Sequence, residues 1–176
     1  KIEKDVAYLL ADSKVVGWFQ GNMECGARAL GNRSILGNPL NPSVRNLINS
    51  KVKFREMWRP FCPSTIQEEG KRFFNYDGEL PFMITACKVK EEYINKLPSV
   101  VHSDQTVRVQ TVSKSSNPRY HKLIKEFGKI TNIPIVLNTS FNVKGEAVVC
   151  TPQDAIKCFL NTEMDYLAIG DYLVSR

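Results

Sequence analysis

The sequence predicts an α/β domain built on a mixed, twisted sheet, because short apolar runs of strand length alternate with segments of helical period. The chain has 176 residues and 43% hydrophobic content, enough to bury one substantial core, and it contains no internal repeat or low-complexity linker. We therefore expect a single domain over residues 1–176. The start at Lys1 rather than Met suggests a domain excised from a larger protein.

Four segments carry helix signals. Apolar residues recur at helical spacing over residues 2–10, and Asn-Pro pairs at 41–42 and 117–118 each place a capping side chain before a proline suited to the first helical position. The helix that begins at 41–42 should end near Lys53. Residues 151–154 resemble a fourth helix start, with an acid in the first turn.

The clearest strand signals are apolar runs at 15–20, 133–137 and 166–169. Residues 82–89 and 105–112 also have strand character, and residues 90–104 between them are irregular. The glycine-rich segment 21–38 is predicted to be a loop or a short helix. The order of these strands and helices along the chain is the one expected for an open sheet with flanking helices.

Charge narrows the class of partner. The net charge is +6 and the sequence pI is about 9.1, which favours an anionic partner such as nucleic acid, a phosphorylated metabolite or a membrane surface.

No apolar stretch is long enough to span a bilayer and no signal peptide is apparent, so we expect a cytoplasmic protein. The five cysteines are scattered and never form a Cys-x-x-Cys pair, so most are interpreted as core residues rather than disulfides or zinc ligands.

The segment 26–34 first suggests a phosphate loop, because two glycines separated by four residues follow a strand and a hydroxyl comes soon after. The match fails, since Asn32 and Arg33 stand where that motif needs lysine and then serine or threonine. A structural turn with surface arginines is one reading. Two arginines, Arg28 and Arg33, in a glycine-rich turn are also an economical anion site.

A second basic cluster contains Lys51, Lys53, Arg55 and Arg59, interleaved with Phe54, Met57, Trp58 and Phe61. One interpretation is a solvated basic face at a helix end, where the carbonyl dipole favours cations. The alternative is a phosphate site, because apolar walls lower the effective dielectric around a cation. This segment by itself leaves both open.

A third candidate is the polar run Asn138 to Asn142 at the end of a buried strand, a usual place for ligands in open α/β sheets. Its amides and the Ser140 hydroxyl could bind a polar group or satisfy their own turn, and the two readings are even. Arg108 is a fourth candidate, although an exposed strand arginine would need no function.

Taken together, these segments resemble the carbamoyltransferase family of the NodU and antibiotic O-carbamoyltransferase type. The resemblance covers essentially the whole chain. The combination of motifs is specific, although each motif alone is weak evidence. The motifs are residues 15–21, the Arg28 loop, Trp58-Arg59-Pro60-Phe61, 137–142 and 166–171.

The resemblance implies a YrdC-like fold that joins ATP, as its Mg²⁺ complex, and carbamoyl phosphate into carbamoyl adenylate. It implies that a separate actin-like ATPase-fold domain, normally upstream, transfers the carbamoyl group to a hydroxyl. The catalytic residues would be Lys53, Arg59, Arg28, Arg108 and Ser140; the substrate-binding residues would be Asn138, Asn142, Arg33 and Arg55; no protein metal ligand is assigned.

One departure from the family pattern is Ala27, which stands where proline is usual and could raise the entropic cost of ordering Arg28.

An alternative function for the chain is a basic module that binds double-stranded RNA, or an inactive partner domain. A steep salt dependence of binding would favour RNA over a buried phosphate pocket.

Overall fold

The computed structural model describes all 176 residues, and its centre is a seven-stranded mixed sheet. The predicted α/β class is therefore confirmed. The helices are α1 (Ile2–Ala11), α2 (Pro42–Leu47) continued by a π-helical turn (Ile48–Val52), α3 (Gly70–Phe73), α4 (Glu91–Ile94), α5 (Pro118–Thr131) and α6 (Pro152–Leu160). The strands are β1 (Val16–Phe19), β2 (Arg33–Gly37), β3 (Cys62–Ile66), β4 (Phe74–Asn75), β5 (Cys87–Val89), β6 (Thr106–Val107), β7 (Gln110–Val112), β8 (Ile135–Ser140), β9 (Tyr166–Ile169) and β10 (Tyr172–Ser175).

The sheet has the order β10-β9-β1-β2-β8-β3-β7, and a small second sheet has the order β4-β5-β6. In the large sheet β1 pairs in parallel with β9, and β3 with β7; the other neighbours are antiparallel. Because successive strand residues point to opposite faces, Val136 joins one core, and Ile135 and Leu137 join the other. Helices α1 and α5 cover the first face. The α2 segment, α6 and the small sheet cover the second.

All four predicted helices form, and side-chain caps explain where three of them begin. The Asn41 side chain accepts a hydrogen bond from the Ser43 amide at 3.0 Å, and Asn117 accepts one from the Tyr120 amide at 3.1 Å. Thr151 and Asp154 form a capping box at the start of α6. The segment from 41 ends at Lys53 as expected, after its last turn widens into the π-helical form.

Two central strands were not predicted. Residues 33–37, expected to be loop or short helix, form β2 between β1 and β8, with every residue buried. The charge of Arg33 and the glycines on both sides hide this strand from a search for apolar runs. Strand β3 contains Pro63, a residue that cannot donate to a ladder and that normally argues against a central strand.

The two weaker strand predictions were partly correct. Only 87–89 of the predicted strand 82–89 is extended, and Met83 adopts a positive φ of 54°. The predicted strand 105–112 divides at Arg108 into β6 and β7, which belong to different sheets. This break places Arg108 next to the candidate site.

None of the helices combines the length and the apolar character that crossing a membrane requires.

Candidate functional site

Five of the nine side chains predicted to bind substrate line one cavity of about 120 Å³, which we call the arginine cavity. They are Arg28, Arg55, Arg108, Asn138 and Ser140. The remaining wall consists of Ala27, Ala29, Pro60, Phe61, Cys62, Met83 and Thr139. The lining contains three guanidinium groups and no carboxylate, so it is suited to an anion.

The sheet register explains how distant segments meet here. Asn138 on β8 lies opposite Leu36 on one side and Cys62 on the other, so β8 places the Arg28 loop and the segment before β3 on either side of its end. Strand β7 then pairs in parallel with β3, which puts the preceding Arg108 on the same wall. The cavity therefore forms where the ends of three strands and two loops converge.

Arg28 and Arg108 are the cations with free capacity. Neither forms a salt bridge within the chain, whereas Arg59, Arg72 and Arg119 do. Burial raises the pKa of the neighbouring Cys62 thiol, and the charges of Arg108 and Arg28 oppose that rise. The thiol therefore stays neutral and leaves the positive potential of the cavity uncompensated.

Arg28 itself is exposed, but the residues after it are held firmly. The Glu24 carboxylate accepts hydrogen bonds from the amides of Leu30 and Asn32, each at 2.7 Å, and from that of Arg33 at 3.3 Å. These converging amides are what a phosphate loop would offer to a phosphate, but the chain's own carboxylate occupies them. The group that this segment leaves free at the cavity is therefore the Arg28 side chain.

Gly31 fixes the position of the same loop. Its φ is +106°, and a Cβ at this position would lie 2.2 Å from the Tyr120 ring. The Trp18 indole donates to its carbonyl at 2.9 Å, and Asn138 donates to that of Ala29 at 3.2 Å. The backbone behind Arg28 is thus ordered in spite of the alanine at position 27.

Lys53 is buried, with 5% of its surface exposed, and its ammonium donates to four oxygens. These are the Ser140 carbonyl (2.9 Å) and Oγ (3.3 Å) and the Asn142 carbonyl (2.8 Å) and Oδ1 (2.6 Å). Burial, followed by the charge of Arg55, lowers the pKa of Lys53 to about 7. Lys53 and Asn142 lie outside the cavity lining and reach it through Ser140.

Arg55 is held by a residue that sequence reasoning missed. The fully buried Asn49, in the π-helical turn, accepts from Arg55 Nε at 2.7 Å and donates to the carbonyls of Met57 and Arg59 at 3.3 and 3.1 Å. The Arg55 guanidinium also lies 4.8 Å from the centre of the Phe61 ring. The local sequence gave no signal for this role, because Ser50 and Lys51 follow Asn49 and make it look like one more polar residue of the helix end.

Two predicted residues lie elsewhere. The guanidinium of Arg33 is buried, donates to the carbonyls of Gln20, Asn32 and Gly21, and stacks 3.6 Å from the centre of the Phe19 ring. Arg59 is largely exposed and pairs with Glu56 at 3.0 Å. The structure therefore brings seven of the nine predicted residues together, five on the cavity and two behind Ser140.

A buried polar group supports the cavity floor. Gln110 accepts from Ser64 Oγ at 2.8 Å and from Asn138 at 3.3 Å, and its amide donates to the Leu30 carbonyl at 2.8 Å. Asn138 Oδ1 is buried without a hydrogen-bond partner.

These features belong to a known class of domain. The chain matches the family model described as carbamoyltransferase C-terminus over residues 7–176 and belongs to that family. Nodulation protein NolO of Bradyrhizobium diazoefficiens is 45% identical over 99% of this chain. The 3'-hydroxymethylcephem-O-carbamoyltransferase of Streptomyces clavuligerus is 35% identical over 92% of it. The family resemblance seen in the motifs is confirmed.

The chain spans about a third of these relatives, 32% of NolO and 30% of the cephem enzyme. A crystal structure of full-length HypF in its phosphate- and nucleotide-bound form shares the fold, with a TM-score of 0.68 and 19% identity over 96% of this chain and 25% of that one. At that identity the likeness concerns the fold alone. It confirms the predicted YrdC-like architecture.

Proposed function

We propose that this domain forms carbamoyl adenylate from ATP and carbamoyl phosphate, as the C-terminal part of an O-carbamoyltransferase. The observation that carries the proposal is the arginine cavity, with three guanidinium groups, an amide and a hydroxyl around one small space. Membership of the carbamoyltransferase family supports the choice of reaction.

The reaction requires fixed positive charge. Hydrolysis of carbamoyl phosphate yields carbamate and phosphate; a carbamate oxygen then attacks the α-phosphorus of ATP, and the bond to the β-phosphate oxygen breaks to release pyrophosphate. Both reactants are anions, so cations must offset their repulsion and stabilise the charge on the leaving group. No protein nucleophile is needed, and positioning together with electrostatics supplies the catalysis.

Arg28, Arg55 and Arg108 hold the phosphate groups in this proposal. Asn138 and Ser140, which both line the cavity, orient the carbamoyl group. Lys53 and Asn142 act through Ser140, whose position they determine. Direct phosphate contacts by Lys53, Arg33 and Arg59 stay predictions from the sequence.

The second half of the reaction, transfer to a hydroxyl acceptor, is assigned to another part of the polypeptide, because the chain spans about a third of its relatives. ATP enters as its Mg²⁺ complex. Mg²⁺ keeps several waters and the phosphate oxygens as ligands, so it can arrive with the substrate.

The decisive measurement is pyrophosphate release by the intact chain given Mg²⁺, ATP and carbamoyl phosphate, with each substrate omitted in turn. We expect release that requires both substrates and that falls strongly in Arg108→Ala. Lys114→Ala is the matched control for loss of one charge, because Lys114 is exposed and does not belong to the cavity lining.

Release that ignores carbamoyl phosphate would indicate simple ATP hydrolysis and defeat the proposal. If no pyrophosphate is released even with both substrates present, while ATP still binds, this domain by itself does not form carbamoyl adenylate.

A further inference from the structure

The loop that carries Arg28 begins at a carboxylate that no salt bridge uses. Glu24 is half-buried and pairs with no cation within the chain. Its Oε1 atom instead accepts all three of the amide hydrogen bonds described above, from Leu30, Asn32 and Arg33. Backbone amides that converge on one oxygen are the arrangement that binds a phosphate. Glu24 therefore takes the place of a bound anion inside the chain.

The carbonyl groups of the same stretch are bound by the sheet. Three buried side chains, each from a different strand, donate to three successive carbonyls after Arg28. These are Asn138 to Ala29 (3.2 Å), Gln110 to Leu30 (2.8 Å) and Trp18 to Gly31 (2.9 Å). The returning limb of the loop, residues 29–33, is therefore attached to the core without any contribution from Glu24.

The outgoing limb, residues 25–28, has no comparable support. All four of its residues are exposed, and no backbone–backbone hydrogen bond involves them. Gly26 has a φ of +127° and open space where a Cβ would stand. Such a segment keeps much of its conformational freedom. The Glu24 side chain, which joins the start of this limb to the amides of the returning limb, therefore limits how far Arg28 can move from the cavity.

We propose that Glu24 is a positioning residue, which closes the base of the loop through these three amides and holds Arg28 at the arginine cavity. The inference rests on the proposed function for the reaction that Arg28 serves. The role is opposite to the one that the charge of Glu24 would have alone, because a carboxylate near a phosphate site repels the ligand. The sign of the effect therefore separates positioning from simple electrostatics.

Calorimetry with tripolyphosphate measures this sign in the intact chain without any reaction. Loss of the charge alone would strengthen binding in Glu24→Ala, whereas we expect weaker binding. We also expect kcat/KM for pyrophosphate release to fall by up to about 100-fold, the loss that a displacement of about 1 Å can cause. Glu24→Gln keeps the oxygen that accepts the amides and should recover most of both. Asp5→Ala removes an exposed carboxylate of α1 that forms no salt bridge, and it is the control for charge.

A double-variant cycle shows whether Glu24 acts through Arg28. If it does, Glu24→Ala combined with Arg28→Ala should bind tripolyphosphate no more weakly than Arg28→Ala alone. Losses that multiply in the double variant would overturn the inference, as would a Glu24→Ala affinity equal to or above that of the wild type. Absence of tripolyphosphate binding by the wild type would also overturn it. Should Glu24→Ala not fold, Glu24→Asp, whose carboxylate is one methylene closer to the backbone, replaces it with the same expected and contrary outcomes.

This inference and the proposed function can fail separately. If the wild type releases no pyrophosphate but the tripolyphosphate affinities follow the expected order, Glu24 positions Arg28 and the reaction is wrong. If the wild type releases pyrophosphate and Glu24→Ala does so with an unchanged kcat/KM, the reaction stands and the role of Glu24 is wrong.

Discussion

Arg28 and Lys53 are both cations predicted to hold phosphate, yet their surroundings give them different roles. Arg28 is exposed and has no carboxylate partner, whereas Lys53 is enclosed by four oxygens from Ser140 and Asn142. An unpaired guanidinium can bind an anion without giving up an existing contact. A buried ammonium with four acceptors mainly orders the residues that it bonds.

For Arg28, truncation should therefore affect activity and leave stability nearly unchanged. One charge-assisted hydrogen bond is worth about 1.5–3 kcal/mol, so Arg28→Ala should lower kcat/KM for pyrophosphate release roughly 10- to 150-fold. The free energy of unfolding should change by no more than about 0.5 kcal/mol, because the side chain is exposed. Steady-state kinetics and urea denaturation measure the two, with Lys114→Ala as control. A kcat/KM equal to the wild-type value would remove Arg28 from the site.

For Lys53, the pH dependence of stability is the informative quantity. Its pKa is about 7 in the native state and about 10.4 in the unfolded chain, so between these values the unfolded state binds one more proton. Stability attributable to this residue should fall as the pH is lowered from about 10 to about 7 and stay level below that. Urea denaturation of wild type and Lys53→Met across this range gives the difference. A difference that does not vary with pH would contradict the lowered pKa.

At the scale of elements, the π-helical turn after α2 aligns the cationic segment that follows it. Asn49 in this turn makes three hydrogen bonds, one to Arg55 and two to carbonyls of the same segment. An ordinary continuation of α2 would turn residue 49 to a different angle. The widened turn and the asparagine therefore act together on Arg55.

Asn49→Ala should lower stability by about 1–3 kcal/mol, because it removes the partner of buried polar groups, and should also raise the KM for carbamoyl phosphate. Asn49→Asp keeps an acceptor for Arg55 and should retain a KM closer to that of the wild type. Thr151→Ala is the matched control, since loss of the α6 cap costs about 1 kcal/mol away from the cavity. If the KM rises equally in the cap variant, general destabilisation explains the effect and Asn49 has no positioning role.

At the scale of the whole molecule, the net charge of +6 is not spread evenly. Lys51, Lys122 and Arg119 are engaged with carboxylates. Three guanidinium groups without a carboxylate partner meet at the arginine cavity, which has no carboxylate among its lining residues. This distribution suits a small anion better than a long nucleic acid.

Salt dependence tests that distinction. Raising salt from about 50 to 200 mM should weaken a nucleic-acid clamp with 6–10 phosphate contacts by roughly 10³–10⁵, through counterion release. We expect the KM for ATP in pyrophosphate release to change by less than about tenfold over that range. Tight binding of double-stranded RNA with the steep dependence, and no competition by ATP, would favour the RNA-binding alternative.

Local sequence was sufficient for four of the helices, but not for the one-turn helices α3 and α4, and it was sufficient for the residue types of the site. The capping residues at 41, 117 and 151 and the apolar period over 118–131 are short-range signals, and each led to a helix in the expected place. The anion-binding character of the Arg28 loop and the segment 53–59 could also be seen from composition and motif. The strands β2 and β3 could not, because Arg33 and Pro63 break the apolar patterns by which buried strands are recognised.

The fold class, the family and a set of candidate cations and amides follow from the residues alone. Which of these groups are free to bind depends on how the strands pack together. Arg33 and Lys53 have the same formal charge as Arg28 and Arg108, but the strand order β2-β8-β3 buries the first two against carbonyls and leaves the others at the cavity. Burial and pairing depend on contacts between residues far apart in the chain, and no local pattern encodes them.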